Sequence, residues 1–160
     1  MATEGARKVE PRWLTADELD TWRTLHLLIA TLPTVLGAQL QRDSGLSFLD
    51  YYVLAGLSEQ SGHTMRMSRL AILTNSELSR LSHLVRRLEN RGLVRRELDP
   101  ADGRFTNAIL TPEGYDEVVK AAPGHVDLVR QLVFDPLTED ERQALHRALA
   151  KIVPGLGDVG

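Results

Sequence analysis

The chain has 160 residues, 42% of them hydrophobic and 5% aromatic, a net charge of -3 and no cysteine. That composition suits one compact domain with extensions, its core built mostly from Leu, Val, Ile and Ala. It excludes a disulfide framework, thiolate-bound zinc and cysteine-based peroxide sensing in this chain. The opening MATEGARKVEPRW holds no apolar signal region. No stretch approaches the roughly 18 apolar residues of a membrane span, so a cytoplasmic location is expected.

Residues 1–14 read as a disordered N-terminal extension, and 15–160 as a single domain. Thr15-x-x-Glu18 is a capping box with Leu14 and Leu19 placed as a hydrophobic staple, so a helix is predicted to start near Ala16. Its apolar positions Leu19, Trp22, Leu25, Ile29, Leu32, Leu36 and Leu40 keep helical spacing. Pro33 lies inside this pattern and is expected to kink or locally unwind the helix. Leu27, Leu28 and Val35 add a second apolar flank, which implies packing against more than the helix's own domain. Asp43-Ser44-Gly45 ends the element.

Ser47 to Asp50 opens a second helix carrying Phe48, Tyr51, Tyr52, Leu54, Ala55 and Leu57. Ser61-Gly62-His63 breaks it, and Met65 suits one short strand. Ser68 is expected to cap a brief helix with Leu70, Ala71 and Leu73. Thr74-x-x-Glu77 reads as a further capping box, opening a helix that runs to about Asn90 and stops at Gly92. Leu93 to Leu98 reads as a strand, Asp99 to Gly103 as a turn, and Phe105 to Leu110 as the returning strand. Thr111 then caps a helix with Pro112 at its first position. The remainder is predicted helical over 112–134 and 138–153. Pro123-Gly124 is expected to interrupt the first of these, and Thr138 to Glu141 to cap the second. The fold class is mainly α with a small β-wing, a winged helix-turn-helix spanning 47–111.

On the helix after Thr74, Leu78, Leu81, Leu84, Val85 and Leu88 gather on one side. Ser76, Ser79, Arg80, His83, Arg86 and Arg87 gather on the other. Short polar groups, an imidazole and guanidinium groups suit a DNA groove and its phosphates. Between Arg66 and Arg104 there are nine Arg and no Lys against five acids, a basic segment inside an acidic chain. The competing reading of such a segment is a solvated helix face. In the turn, Asp102-Gly103-Arg104 places an arginine where it can enter a narrow minor groove, with a carboxylate beside it to fix its geometry. Taken alone, that motif is equally an ordinary turn with an exposed ion pair. Its position after this helix favours the wing.

His26, His63, His83, His125 and His146 show no metal-ligand spacing, and no phosphate loop, nucleophile elbow or paired-carboxylate motif is present. The chain is therefore read as no enzyme, with no metal and no cofactor. Trp13, Trp22, Tyr51 and Tyr52, with His26 one turn from Trp22, are candidates for a small-molecule pocket. The alternative is core or interface packing. A winged helix that binds protein instead of DNA is a rival class, and the arginine bias of the outward face argues against it.

These residues resemble the MarR family of bacterial transcriptional regulators. The matching stretches are Leu70-Ala71, LSRLSHLVRRLENRGLVRRE over 78–97 and DPADGRFTNAILTPEG over 99–114. The last carries the family's wing pattern as Asp102, Arg104, Leu110, Thr111 and Gly114. The resemblance implies a homodimer joined by helices 15–42 and 112–153, with two winged lobes facing a pseudo-palindromic site on double-stranded DNA. It implies a recognition helix over 75–90, with Arg104 as the wing arginine braced by Asp102. Gly103 stands where many relatives carry a second basic residue. The resemblance further implies a repressor released by a small, phenolic or other aromatic ligand. A ligand-independent DNA-binding protein is the alternative.

Overall fold

The computed structural model describes residues 11–157. Most of the extension expected to be disordered therefore lies outside the described residues. The chain divides into two compact units, with the boundary between Pro33 and Thr34.

The first unit holds the start of helix α1 (Ala16–Ser44). The Thr15 box forms as expected: the Thr15 amide donates to Glu18 Oε2 at 2.8 Å and the Glu18 amide to Thr15 Oγ1 at 3.3 Å. Trp22, Leu27, Leu28 and Ile29 are all exposed, in keeping with an apolar flank that looks outward. The helix continues through Pro33 without the expected local unwinding. A proline removes only one helical N–H, a loss that a helix of 29 residues absorbs.

The second unit takes up the chain from Thr34. It contains α2 (Phe48–Ser58), a short 3-10 turn at Ser61–His63, β1 (Thr64–Arg66), α3 (Met67–Leu73) and α4 (Leu78–Asn90). β2 (Val94–Leu98), β3 (Thr106–Leu110), α5 (Pro112–Val129), a π-helical turn at Arg130–Phe134 and α6 (Glu139–Gly157) follow. The capping box of α2 closes as its sequence predicts, Ser47 and Asp50 each bonding the other's amide. Leu40, Leu46, Val53, Leu54, Leu57, Leu70, Leu81, Val85 and Leu88 lose all exposure in one cluster. Each such side chain contributes about 1.5–3 kcal/mol relative to leaving it in water. The sheet is antiparallel in the order β1-β3-β2. Val94 pairs with Leu110 and Leu98 with Thr106, so β2 and β3 form a ribbon whose tip is residues 99–105.

Three local expectations need correction. Ser68 lies inside α3, and Arg66 takes the N-cap position. The Thr74–Glu77 box does not form: Thr74 is buried, and its hydroxyl donates backwards to the Leu70 carbonyl at 2.8 Å. The open carbonyls at the end of α3 lie nearer than the start of α4, so Thr74 closes one helix instead of opening the next. Glu77 is itself the N-cap of α4. Finally, α5 runs unbroken through Pro123-Gly124. Gly124 serves close packing there: a Cβ would stand 3.1 Å from Gln39 Nε2.

α4, the ribbon and α5 meet at one junction. Gly92 adopts φ +73, letting its amide bond Glu89 O at 2.9 Å and the Leu93 amide bond Leu88 O at 3.0 Å. These two bonds are a Schellman closure, and the left-handed backbone it needs favours glycine. The Thr111 hydroxyl then donates to the Gly92 carbonyl at 2.7 Å and accepts from the Gly114 amide at 3.0 Å. Gly114 is pressed against the chain here: a Cβ would sit 2.0 Å from the Leu93 carbonyl oxygen. Gly114→Ala is expected to lower stability by about 1–3 kcal/mol or more, because backbone must move to admit one methyl. Urea unfolding measures it, and a midpoint equal to that of the unaltered chain would refute the contact.

Candidate nucleic-acid interface

α4 buries Leu81, Leu84, Val85 and Leu88 and so turns the opposite face outward. Ser79, Arg80, His83 and Arg86 lie on that outward face and are exposed. Among the described residues neither Arg80 nor Arg86 has a carboxylate within 4.0 Å. Arg69, exposed on α3, is likewise without one. Ser76 departs from the expected helical position. It is half-buried in the turn before α4, its amide bonding Ala71 O at 2.9 Å and its hydroxyl donating to Thr74 O at 3.2 Å. Arg87 is exposed on α4 as expected, and its Nη2 also donates to Asp50 Oδ1 at 2.6 Å, with Asp50 almost fully buried at the start of α2.

The wing is held by carboxylates of its own tip. Asp102 takes the Arg104 backbone amide at 3.1 Å, Nε at 2.9 Å and Nη2 at 2.7 Å. This two-point pairing fixes one edge of the guanidinium while the side chain stays 84% exposed. The pair holds the Asp102 carboxyl below the usual carboxylate range, chiefly through the hydrogen bond from the Arg104 side chain, and holds Arg104 above its ordinary value. Asp99 does the same for the base of the tip. It accepts the Ala101 amide at 2.9 Å and Arg66 Nε at 2.7 Å, and those bonds, the Ala101 one first, lower its pKa. Arg66 also stacks over the Phe105 ring, 4.4 Å from its centre. On the other side of the ribbon Glu89 of α4 receives the Arg96 backbone amide at 3.1 Å and the Arg96 guanidinium at 2.7 and 3.0 Å. The hydrogen bond from the Arg96 side chain is the main reason the Glu89 carboxyl is lowered. The wing is thus tied to the C-terminal end of α4.

The aromatic candidates fall into separate places. Trp22 and His26 lie in the first unit, ring centres 6.0 Å apart, with Trp22 in a shallow cleft beside Leu14, Thr21 and Leu25. Tyr51 and Tyr52 line a cavity of about 370 Å³ in the second unit with Ala55, Gly56, Glu59, Gln60, Leu73 and His125. Tyr51 and His125 rings are 4.5 Å apart. Burial pushes the Tyr51 hydroxyl up, with the Glu59 charge adding to it. His125 Nδ1 is buried with no hydrogen-bond partner.

Asp50, Arg66, Asp99, Phe105 and His125 are the participants that sequence reading did not assign. Asp50 was legible as a cap, but its partner is 37 residues away. Arg66 and Asp99 are 33 residues apart. No local spacing rule reaches such pairs.

A short helix, a turn and an exposed second helix, followed by a braced two-stranded ribbon, define a winged helix-turn-helix. The family model for the MarR family matches residues 44–104, from the end of α1 through α4 and β2 to the wing tip. The structure is similar to that of Sco3205, a MarR family transcriptional regulator from Streptomyces coelicolor solved in complex with DNA. That similarity has a TM-score of 0.88 and 45% identity over 92% of each chain. It is also similar to AbsC, a MarR family transcriptional regulator of the same organism, with a TM-score of 0.87 and 41% identity over 92% of this chain and 99% of AbsC. Among curated proteins, the transcriptional regulator HosA of Escherichia coli O111:H- is 31% identical over 104 residues, 64% of this chain and 74% of HosA. The chain belongs to the MarR family of DNA-binding transcriptional regulators.

One pH effect follows from the cavity. Burial lowers the His125 pKa, so the folded chain resists protonation there while the unfolded chain takes the proton near the ordinary imidazole value of about 6.5. The stability this contributes is complete above that value and is lost as pH falls toward the lowered one. Urea midpoints of the unaltered chain should therefore fall between about pH 7.5 and about pH 5.5, and His125→Phe should flatten that fall. Identical pH dependence in the two proteins would exclude His125 as the source.

Proposed function

We propose that the chain is a homodimeric repressor that reads a pseudo-palindromic operator with two copies of α4 and two wings. The observation that carries this reading is the open N-terminal part of the outward α4 face. Ser79, Arg80, His83 and Arg86 form a polar, cationic surface whose arginines have no carboxylate within 4.0 Å among the described residues. Arg80 and His83 are the candidates for base edges, Arg86 for phosphate, and Ser79 for close backbone approach. Ser76 supports the turn before them. Arg104, pre-organised by Asp102 and with Nη1 outside that pairing, is the candidate for the neighbouring minor groove. Dimerisation is supported by apolar side chains left exposed outside the motif: Leu27, Leu28 and Ile29 on α1, Val119 and Val126 on α5, and Leu149, Ile152 and Val153 on α6.

Binding to a duplex selected from a random pool tests the assignment. Arg86→Ala should reduce the slope of log affinity against log salt by about one, the signature of one lost phosphate contact. Arg104→Ala should weaken binding while light scattering still reports a mass of two chains. Arg104→Ala with unchanged affinity would overturn the wing assignment, and a single-chain mass for the unaltered protein would overturn the dimer.

The Tyr51–Tyr52 cavity supports a second element of this reading, release of DNA by a small aromatic effector. The two phenol rings, the His125 ring and Leu73 offer aromatic and apolar contact, and Glu59 and Gln60 offer polar groups on the same wall. An effector acts only through different affinities for two dimer geometries. Benzoate-class and phenolic probes should bind by calorimetry and lower DNA affinity, with both effects reduced in His125→Phe. Binding that persists unchanged in that variant would exclude the cavity.

A further inference from the structure

The outward face of α4 carries two kinds of arginine. By helical spacing Ser79, His83 and Arg86 share the middle of the face, while Arg80, Arg87 and Arg91 share one edge, beside the buried stripe. Two of the edge arginines, though exposed, find acceptors in the protein. Arg87 donates to Asp50 at 2.6 Å, and Arg91, one turn later, donates to the Gly45 carbonyl at 3.2 Å. Both acceptors belong to the corner between α1 and α2. Asp50 is the better-built of them. Its Oδ2 accepts the Ser47 amide at 3.0 Å, and its Oδ1 accepts Arg87. Each carboxylate oxygen thus has its own donor, one from its own helix cap and one from α4. The Asp50 side chain is only 5% exposed, so this charge has little water to fall back on.

Resting on the DNA-binding reading above, we infer that Asp50 is a positioning residue for the recognition helix. It acts through Arg87, which is a strut between α2 and α4 and makes no phosphate or base contact. The strut fixes the rotation of α4 about its own axis. The apolar stripe sets that rotation only loosely, because leucine side chains tolerate small shifts, whereas an aimed ion pair does not. The free face, and with it Arg80 and Arg86, is presented at one angle as a result.

The same selected duplex serves as the probe, at a temperature where every variant keeps the circular dichroism spectrum of the unaltered protein. Arg87→Gln should bind roughly threefold to thirtyfold more weakly, the range for residues that act on a site without touching its ligand. Its salt slope should equal that of the unaltered protein, in contrast to Arg86→Ala. Asp50→Asn keeps an oxygen for the Ser47 amide and removes the charge, and it should show the same loss. The double variant Asp50→Asn/Arg87→Gln leaves no unpaired charge buried, so it guards against simple unfolding. It should lose no more than either single change, because both break one interaction. The opposite role gives opposite results: a direct phosphate contact predicts a slope reduced by about one in Arg87→Gln, and tighter binding in Asp50→Asn as the guanidinium is released. Either result, or a double variant with the affinity of the unaltered protein, overturns the strut. Failure to select any duplex would instead remove the DNA-binding reading, and the inference would fall with it.

Discussion

Burial of one stripe on α4 governs the rest of this molecule. Leu81, Leu84, Val85 and Leu88 must leave water, and they do so against α3 and β2 within the one core cluster. With 3.6 residues per turn, the residues between them have nowhere to go but outward. The polar face is therefore a consequence of packing. The same burial fixes where α4 ends, and the Gly92 closure then delivers the chain into β2 at a set angle. The wing inherits its place from that helix end, and Glu89 and Thr111 fasten it there with side-chain hydrogen bonds.

Charge is organised on this frame by pairing rather than by amount. Of the nine arginines between Arg66 and Arg104, five face a carboxylate: Arg66, Arg87, Arg95, Arg96 and Arg104. Arg91 takes a backbone carbonyl. Arg69, Arg80 and Arg86 are left with no carboxylate in reach among the described residues. The acids of this segment thus hold the geometry of the lobe and leave a small unopposed cationic set on α3 and α4. That is how a chain with net charge -3 can still present a surface suited to phosphate. Exposed pairs such as Arg104–Asp102 add little to stability, and their value lies in fixing a direction.

Much of this was legible in residue order. Three of the capping boxes close as written, at Thr15, Ser47 and Thr138. The two strands, their polar turn and the Thr111-Pro112 start of α5 also stand where composition puts them. Thr74 and Pro123 did not follow their local rules. At Thr74 two helix ends compete for one hydroxyl, and three-dimensional proximity decides. At Pro123 the helix was kept by the length of intact turns around it, against a breaker signal that is only local.

The sequence by itself determined the elements, the apolar stripe and which residue types share the outward face, because helical and strand periods are properties of neighbours in the chain. Only the tertiary structure decided which of those outward arginines are free. Arg86 and Arg87 are adjacent, chemically identical and both exposed, yet only Arg87 is paired with a carboxylate, that of Asp50. That difference depends on a carboxylate 37 residues away, brought within 2.6 Å by packing that no local pattern records.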